Sequence, residues 1–225
     1  MQRSRGDLAV KRLIVIVLII FFSSVAGAAE GDRVDIGEFS AGRLDGWEVK
    51  VFTGETRYQL TQRDGTGILR AESRSSASGL VRKIKIDLKQ YPFLNWRWRI
   101  ETPLNTEDEE SKAGDDYAAR IYVVVDGGLL FWNTRAINYV WAHTSPKGKS
   151  WPNAYAGSNA MMLALRSNQD NSSLWYSEKR NVFKDFQMLF GKEIRYIDAV
   201  ALMTDTDDSR GQAVSFYGDI FFSSR

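Results

Sequence analysis

Arginine and carboxylate side chains placed on alternating positions are the residues best equipped for chemistry in this chain. Trp96-Arg97-Trp98-Arg99 sends two indoles to one side of an extended strand and two guanidinium groups to the other. In Arg120-Ile121-Tyr122-Val123-Val124-Val125 the apolar side is Ile121, Val123 and Val125, and Arg120 and Tyr122 share the opposite side. If the strands lie in one sheet, Arg97, Arg99, Arg120, Tyr122, Asn138 and Arg166 line one concave face. Asp115, Asp116, Glu178 and Arg180 then stand at its rim. Guanidinium forks bind carboxylates, phosphates or polarised hydroxyls through two parallel hydrogen bonds. The same residues could instead form a buried ion-pair network, Arg97 and Arg120 against Asp116 and Glu178, that only joins strands. Alternation fixes a face along each strand and leaves open which strands are neighbours.

Aromatic residues crowd positions 130 to 176: Trp132, Tyr139, Trp141, Trp151, Tyr155 and Trp175. Flat rings beside a few polar groups suit sugar rings. Trp151 and Tyr155 sit in a Trp-Pro-Asn-Ala-Tyr segment with turn chemistry, where ligand contact and packing weigh equally. Trp96, Trp98 and Trp141 alternate as core strand residues. Paired carboxylates for glycoside cleavage could come from Asp115, Asp116, Glu178, Asp205 or Asp207. Acidic residues before a strand are usually solvated, which argues against that role. Asp205-x-Asp207-x-Ser209-x-Gly211 spaces oxygen donors like a calcium loop, but the glycine is one place late and Phe216 stands where a bidentate Glu belongs.

Several chemistries are excluded. His143 is the only histidine and there is no cysteine, so neither a multi-histidine zinc site nor thiol catalysis can be built. There is no Gly-x-Ser-x-Gly elbow and no glycine-rich phosphate loop.

The elements that must position these groups read as strands. β-Branched and aromatic segments recur near 47–52, 58–62, 67–73, 79–86, 94–100, 117–125, 136–142, 160–167, 195–204 and 213–222. Their short, close spacing predicts an all-β, antiparallel β-sandwich. One helix is predicted over 182–190, with Asn181 as N-cap, Gly191 just past its end and an apolar stripe of Val182, Phe183, Phe186, Leu189 and Phe190. An acidic loop is expected from Glu101 to Asp116.

The first residues carry an export signature: Arg3, Arg5, Lys11 and Arg12, an apolar run from Leu13 to Phe22, then small residues ending in Ala-Gly-Ala. We expect a signal peptide over 1–28 and a single domain over 29–225, periplasmic or secreted. The apolar run is shorter than the ~20 residues of a bilayer span, so no membrane span remains after cleavage. The segment carries +3 once Asp7 is counted, so the whole-chain net charge of +2 becomes −1 in the remainder. That removes the case for nucleic acid.

Trp96-Arg97-Trp98, Gly114 to Arg120, Asn138 to Ala142, Glu178-x-Arg180-Asn181-Val182 and Asp205-Thr206-Asp207 together resemble a family of exported bacterial proteins catalogued as a domain of unknown function. The resemblance runs from about Phe39 to Phe222 and implies no reaction. Glu38-Phe39, Gly46-Trp47, Ile197 to Leu202 and Tyr217 to Ile220 are also similar to the galactose-binding-like jelly rolls, which include many carbohydrate-binding modules. That similarity implies a jelly-roll arrangement and a structural calcium held by Glu38 and Asp219. The expected role is a non-catalytic domain binding a glycan or acidic small ligand through Arg97, Asp116, Arg120, Tyr122, Asn138, Trp151, Tyr155, Arg166, Glu178 and Arg180. The alternatives are a polysaccharide hydrolase or lyase using Asp116 and Glu178, and an envelope assembly partner.

Overall fold

Alternation of apolar and polar residues, repeated in strand after strand, dictates two sheets that bury one face each. The computed structural model describes residues 32–225 apart from 107 and 129–132, so the expected signal peptide and Trp132 lie outside the described residues. The strands are β1 (Arg33–Gly37), β2 (Trp47–Thr53), β3 (Arg57–Arg63), β4 (Thr66–Arg74), β5 (Ala77–Asp87), β6 (Phe93–Ile100), β7 (Arg120–Val125) and β8 (Arg135–Trp141). They continue with β9 (Ser150–Asn153), β10 (Gly157–Arg166), β11 (Tyr176–Asn181), β12 (Tyr196–Asp205), β13 (Gln212–Tyr217) and β14 (Ile220–Ser223). One helix, α1, covers Val182–Phe190.

The second sheet runs β2-β5-β12-β7-β8-β10-β9. In the first sheet β6 is the hub: β11 pairs along one edge, while β14 and β13 share the other, end to end. Beyond them lie β1 on β14 and β4 then β3 on β13. The pairing is antiparallel except between β8 and β10, which run parallel because β9 returns the chain between them. Asp64 and Gly65 both take positive φ, 52° and 73°, in the two-residue turn joining β3 to β4, as a primed hairpin turn requires.

The core between the sheets is aromatic. Trp96 and Trp98 from β6 meet edge to face, centroids 5.4 Å apart. Trp96 packs on Tyr139 and Trp98 on Trp141, both from β8 of the opposite sheet, at 5.3 and 6.0 Å. Each such ring pair adds ~1 kcal/mol beyond the apolar area it buries. The expected alternation of the two indoles inward therefore holds.

Helix α1 closes one end of this core, burying Val182 and Phe186. It begins where expected: Asn181 Oδ1 accepts the Lys184 backbone N–H at 3.0 Å, and Gly191 takes φ 63° at the other end. Asn181→Ala removes that cap and should lower unfolding free energy by about 1 kcal/mol, read from urea denaturation at unchanged slope.

Candidate functional site

A groove of about 450 Å³ opens on the outer face of the second sheet. Its floor is set by register: Tyr122 of β7 lies opposite Asn138 of β8, and Met203 of β12 lies opposite Arg120. Small side chains, Ala77 and Ala160, keep the floor low, and Phe52 and Tyr155 stand on its walls at 65% and 58% exposure. Asp115, Asp205, Asp207 and Asp208 line one end.

That end is organised by Arg120, which is buried with Asp205. Arg120 forms a close ion pair with Asp205, donates Nε to Asp205 Oδ1 at 3.1 Å and Nη2 to the Asp115 carbonyl at 3.2 Å. The Asp115 carboxylate stands 3.8 Å away, and the Tyr117 and Tyr122 rings flank the guanidinium at 4.9 and 5.7 Å. Burial works to lower the Arg120 pKa, but Tyr122, Asp115 and Tyr117 outweigh it and keep the group cationic. Burial pushes the Asp115 carboxyl above its ordinary value, against the pull of Arg120 and of the Asn153 amide, which donates to both its oxygens.

Behind this end, Asp116 is fully buried and accepts the backbone N–H groups of Asp208 and Ser209 at 3.3 and 2.6 Å. His143 Nδ1 accepts the Thr106 backbone N–H at 3.3 Å, so its Nε2 carries the proton and donates to the Asp116 carbonyl at 2.6 Å. Burial lowers the His143 pKa. Glu109 accepts N–H bonds from His143 and Ser145 at 2.7 and 2.5 Å. Burial pushes its carboxyl up, but these bonds outweigh it and hold the pKa below the usual value. The acidic loop thus turns Glu109, Asp115 and Asp116 inward while Glu101, Asp108 and Glu110 stay exposed, because Glu109 and Asp116 serve backbone donors that would otherwise be unpaired.

Within the groove, the Oδ1 of Asn138 is buried and has no hydrogen-bond partner. It is an acceptor that a ligand hydroxyl can satisfy. Tyr155 donates its hydroxyl to Asp208 at 2.6 Å, which fixes the ring; that bond first, then burial, pushes its pKa up to about 12.

Of the expected site residues, Arg120, Tyr122, Asn138 and Tyr155 meet in this groove. The others lie elsewhere. Trp151 is 3% exposed and packs with Tyr117, Val140, Met162 and Ala164 behind the groove, not in a solvent-facing turn. Arg97 points from the far side of the first sheet, over the Trp175 ring at 4.9 Å. Arg166 donates to Glu178 at 2.6 Å, and Trp98 Nε1 reaches the same carboxylate at 3.2 Å, so this pair joins β10 of one sheet to β6 and β11 of the other. Arg180 and Tyr139 both bond Asp185 of α1, at 3.0 and 2.7 Å. Asp116 and Glu178 serve separate networks: Asp116 accepts the 208–209 backbone, and Glu178 accepts from Arg166 and Trp98.

The calcium expected at Glu38 and Asp219 does not fit those residues. Glu38 is bound by the Arg43 guanidinium, and Asp219 accepts the Ser40 N–H at 2.8 Å and the Ser40 hydroxyl. A calcium site needs six to eight free oxygens. Three other carboxylates, Asp116, Asp207 and Asp208, lie within 4.8 Å of one another among the described residues. Sequence reasoning missed Phe52, Asn153 and Asp208 as groove residues. The signals pointing to this corner were the acidic spacing at 205–207, the rim residue Asp115 and the 151–155 segment.

The two sheets define a β-sandwich. The chain resembles the family 30 carbohydrate-binding module of a cellulosomal cellulase from Clostridium thermocellum, at 9% identity and TM-score 0.50 over 86% of this chain and 98% of that one. It is similar, at 7% identity and TM-score 0.45, to a family 11 module from the same organism, over 86% and 96% of the two chains. The xyloglucanase domain of a type three effector from Sinorhizobium fredii matches at 12% and 0.45, over 80% and 95%. The chain belongs to the family described as "Protein of unknown function (DUF3047)", which matches residues 45–221. Among curated proteins no sequence matches it. No helix among the described residues is long and apolar enough to cross a membrane.

Two outcomes test the polar end. Asp205→Asn strands the buried Arg120 charge and should cost about 3–5 kcal/mol in urea unfolding; a loss under 1 kcal/mol would show the pair is dispensable. His143 stays neutral when folded but titrates at its ordinary value when unfolded. Stability should therefore fall as pH drops below 6.5 and level off once the lowered folded pKa is passed. His143→Gln should flatten that dependence between pH 7.5 and 5, measured by denaturation midpoints.

Proposed function

We propose that this chain is an exported, non-catalytic domain that binds a neutral glycan in the groove over the second sheet. The observation that carries this reading is the groove's lining. An apolar floor holds one unpartnered buried acceptor, Asn138 Oδ1, between two exposed aromatic walls, Phe52 and Tyr155. A sugar presents an apolar face for such a ring and hydroxyls for such an acceptor. The carbohydrate-binding module that shares this fold supports the same substrate class. The carboxylates of Asp115, Asp205, Asp207 and Asp208 outnumber the cations, Arg120 in the lining and Lys112 at 5.2 Å over the Tyr155 ring, which works against an acidic ligand here and favours neutral hydroxyls. Export rests on the basic opening and apolar run of the first 28 residues.

Isothermal titration of residues 29–225 with mixed-linkage β-glucan, xyloglucan and galactan oligosaccharides tests the reading. Binding to one of them should weaken about tenfold in Tyr155→Ala, equal to ~1.4 kcal/mol, with the fold intact. A folded sample giving no heat with any neutral glycan would sink it.

A further inference from the structure

The far face of the first sheet carries a second, differently charged surface. Its outward positions are set by register: Arg99 lies beside Phe216, which lies beside Arg70, which lies beside Gln59. One row on, Arg97 lies beside Ser177, and beyond it Asn95 lies between Lys179 and Phe221. Cations sit over rings throughout. Arg63 and Arg99 approach the Phe216 ring at 5.0 and 5.6 Å, Arg97 the Trp175 ring at 4.9 Å, and Lys179 the Phe93 ring at 4.7 Å. Trp175 and Phe216 are themselves 6.5 Å apart, so the arginines form one cluster.

Few carboxylates answer them. Glu72 pairs with Arg70 and Arg74 at 2.6 and 2.8 Å, bonds that hold its carboxyl down to about 2. Among the described residues, Arg57, Arg63, Arg97, Arg99 and Lys179 have no carboxylate oxygen within 4.0 Å. Asp219, which borders the same face, is already engaged by Ser40, and the Glu178 carboxylate turns inward to Arg166 and Trp98. Stacking on a ring holds a guanidinium in place without using its N–H donors. Arg99 spends Nε on the Ser172 carbonyl at 3.4 Å, and its remaining donors and those of Arg63 and Arg97 stay available for a carboxylate. A groove of about 460 Å³ between Arg33, Arg97 and Lys179 leaves room at this surface.

We propose that this face binds an acidic polysaccharide, one carrying a carboxylate on successive sugars. The cations extend from Lys179 on β11 across β6, β13 and β4 to Arg57 and Arg63 on β3, four inter-strand steps or roughly 19 Å. That spread matches repeated charges on a chain better than one small anion. The rings lie beneath the guanidinium groups, with Phe216 buried, so they are not free for nucleobases to stack on. Of the exposed large apolar side chains, Leu174 beside Trp175 adjoins this face, while Val49, Val51, Phe52, Tyr155, Met188 and Tyr196 belong to other surfaces, so the face offers a bilayer one apolar wedge and not a row of them. The site is independent of the neutral-glycan groove, which lies on the opposite sheet.

Titration of residues 29–225 with polygalacturonate at 50 mM NaCl is the test, beside phosphatidylglycerol vesicles and a neutral β-glucan. We expect polygalacturonate to bind, and to weaken several-fold at 300 mM NaCl. Arg63→Gln/Arg97→Gln/Arg99→Gln should weaken it tenfold or more. Arg57→Glu/Lys179→Glu, which alters only exposed side chains, should also weaken it, so a misfolded triple variant does not decide the matter. Neutral glucan binding should be unchanged in both folded variants. Absence of polygalacturonate binding by the parent, full binding by Arg57→Glu/Lys179→Glu, or binding to vesicles that the polymer cannot displace would each overturn the proposal.

Discussion

A guanidinium enclosed by protein must find its counter-charge there, and the Arg120–Asp205 pair is the constraint on which the rest of this structure leans. Arg120 opens β7 and Asp205 closes β12, adjacent strands of one sheet, so the pair fastens the same end of both. Asp205 Oδ1 also accepts the Tyr117 backbone N–H at 3.2 Å, and Arg120 holds the Asp115 carbonyl. The segment entering β7 is therefore pulled over the end of the sheet. Asp116 then anchors the turn at 208–209, His143 anchors Asp116, and Glu109 anchors the chain at 143–145. One buried charge thus commits a relay of backbone donors and acceptors, and the relay builds the acidic end of the groove.

The two sheets are joined by a different device. Aromatic rings fill the middle, and polar contacts close the edges where water would otherwise enter. Arg166, Glu178 and the Trp98 indole bridge one edge; Arg180, Asp185 and Tyr139 bridge the end covered by α1. Arg166 also lies 4.1 Å over the Tyr176 ring, so it contributes packing as well as charge. These groups look like a catalytic set when viewed as a string of residue types. In space they are the polar margin of an aromatic core.

Much of the fold was legible because strand alternation is a local property. The inward Trp96 and Trp98, the apolar side of β7, the cap at Asn181 and the end of α1 at Gly191 all follow from neighbours in the chain. Three strands were not legible, and β13 and β14, separated at Gly218 and Asp219, read as one strand over 213–222. β9 contains Pro152, which argues against a strand, yet β9 is the last strand of its sheet, where a missing N–H costs no ladder bond. β11 reads Tyr-Ser-Glu-Lys-Arg-Asn, too polar to suggest pairing, and it too lies on an edge. β1 offers only five residues and gains its place by pairing with β14 near the C-terminus. The site was half legible for the same reason. Alternation correctly places Arg120 with Tyr122, and Arg97 with Arg99, but it carries no information about which sheet each strand joins. Arg97 and Arg120 therefore fell on opposite sides of the molecule.

That separation gives the protein two surfaces of opposite character. Beyond the first 28 residues the chain is nearly neutral, yet its carboxylates gather at the groove of the second sheet and unpaired cations cover the first. Packing alone does not ask for this, since exposed strand positions tolerate either sign. Gly218 shows how closely the basic face is built: a Cβ there would lie 2.4 Å from the Arg97 side chain, so this position leaves the arginine room to lie flat across the strand end. A long side chain held in one pose loses rotamer entropy of about 1.5–2 kcal/mol. Ring stacking offsets part of that cost, while no carboxylate oxygen among the described residues lies within 4.0 Å of the charge. A guanidinium ordered in advance and left without its natural counter-ion is arranged for an anion arriving from outside.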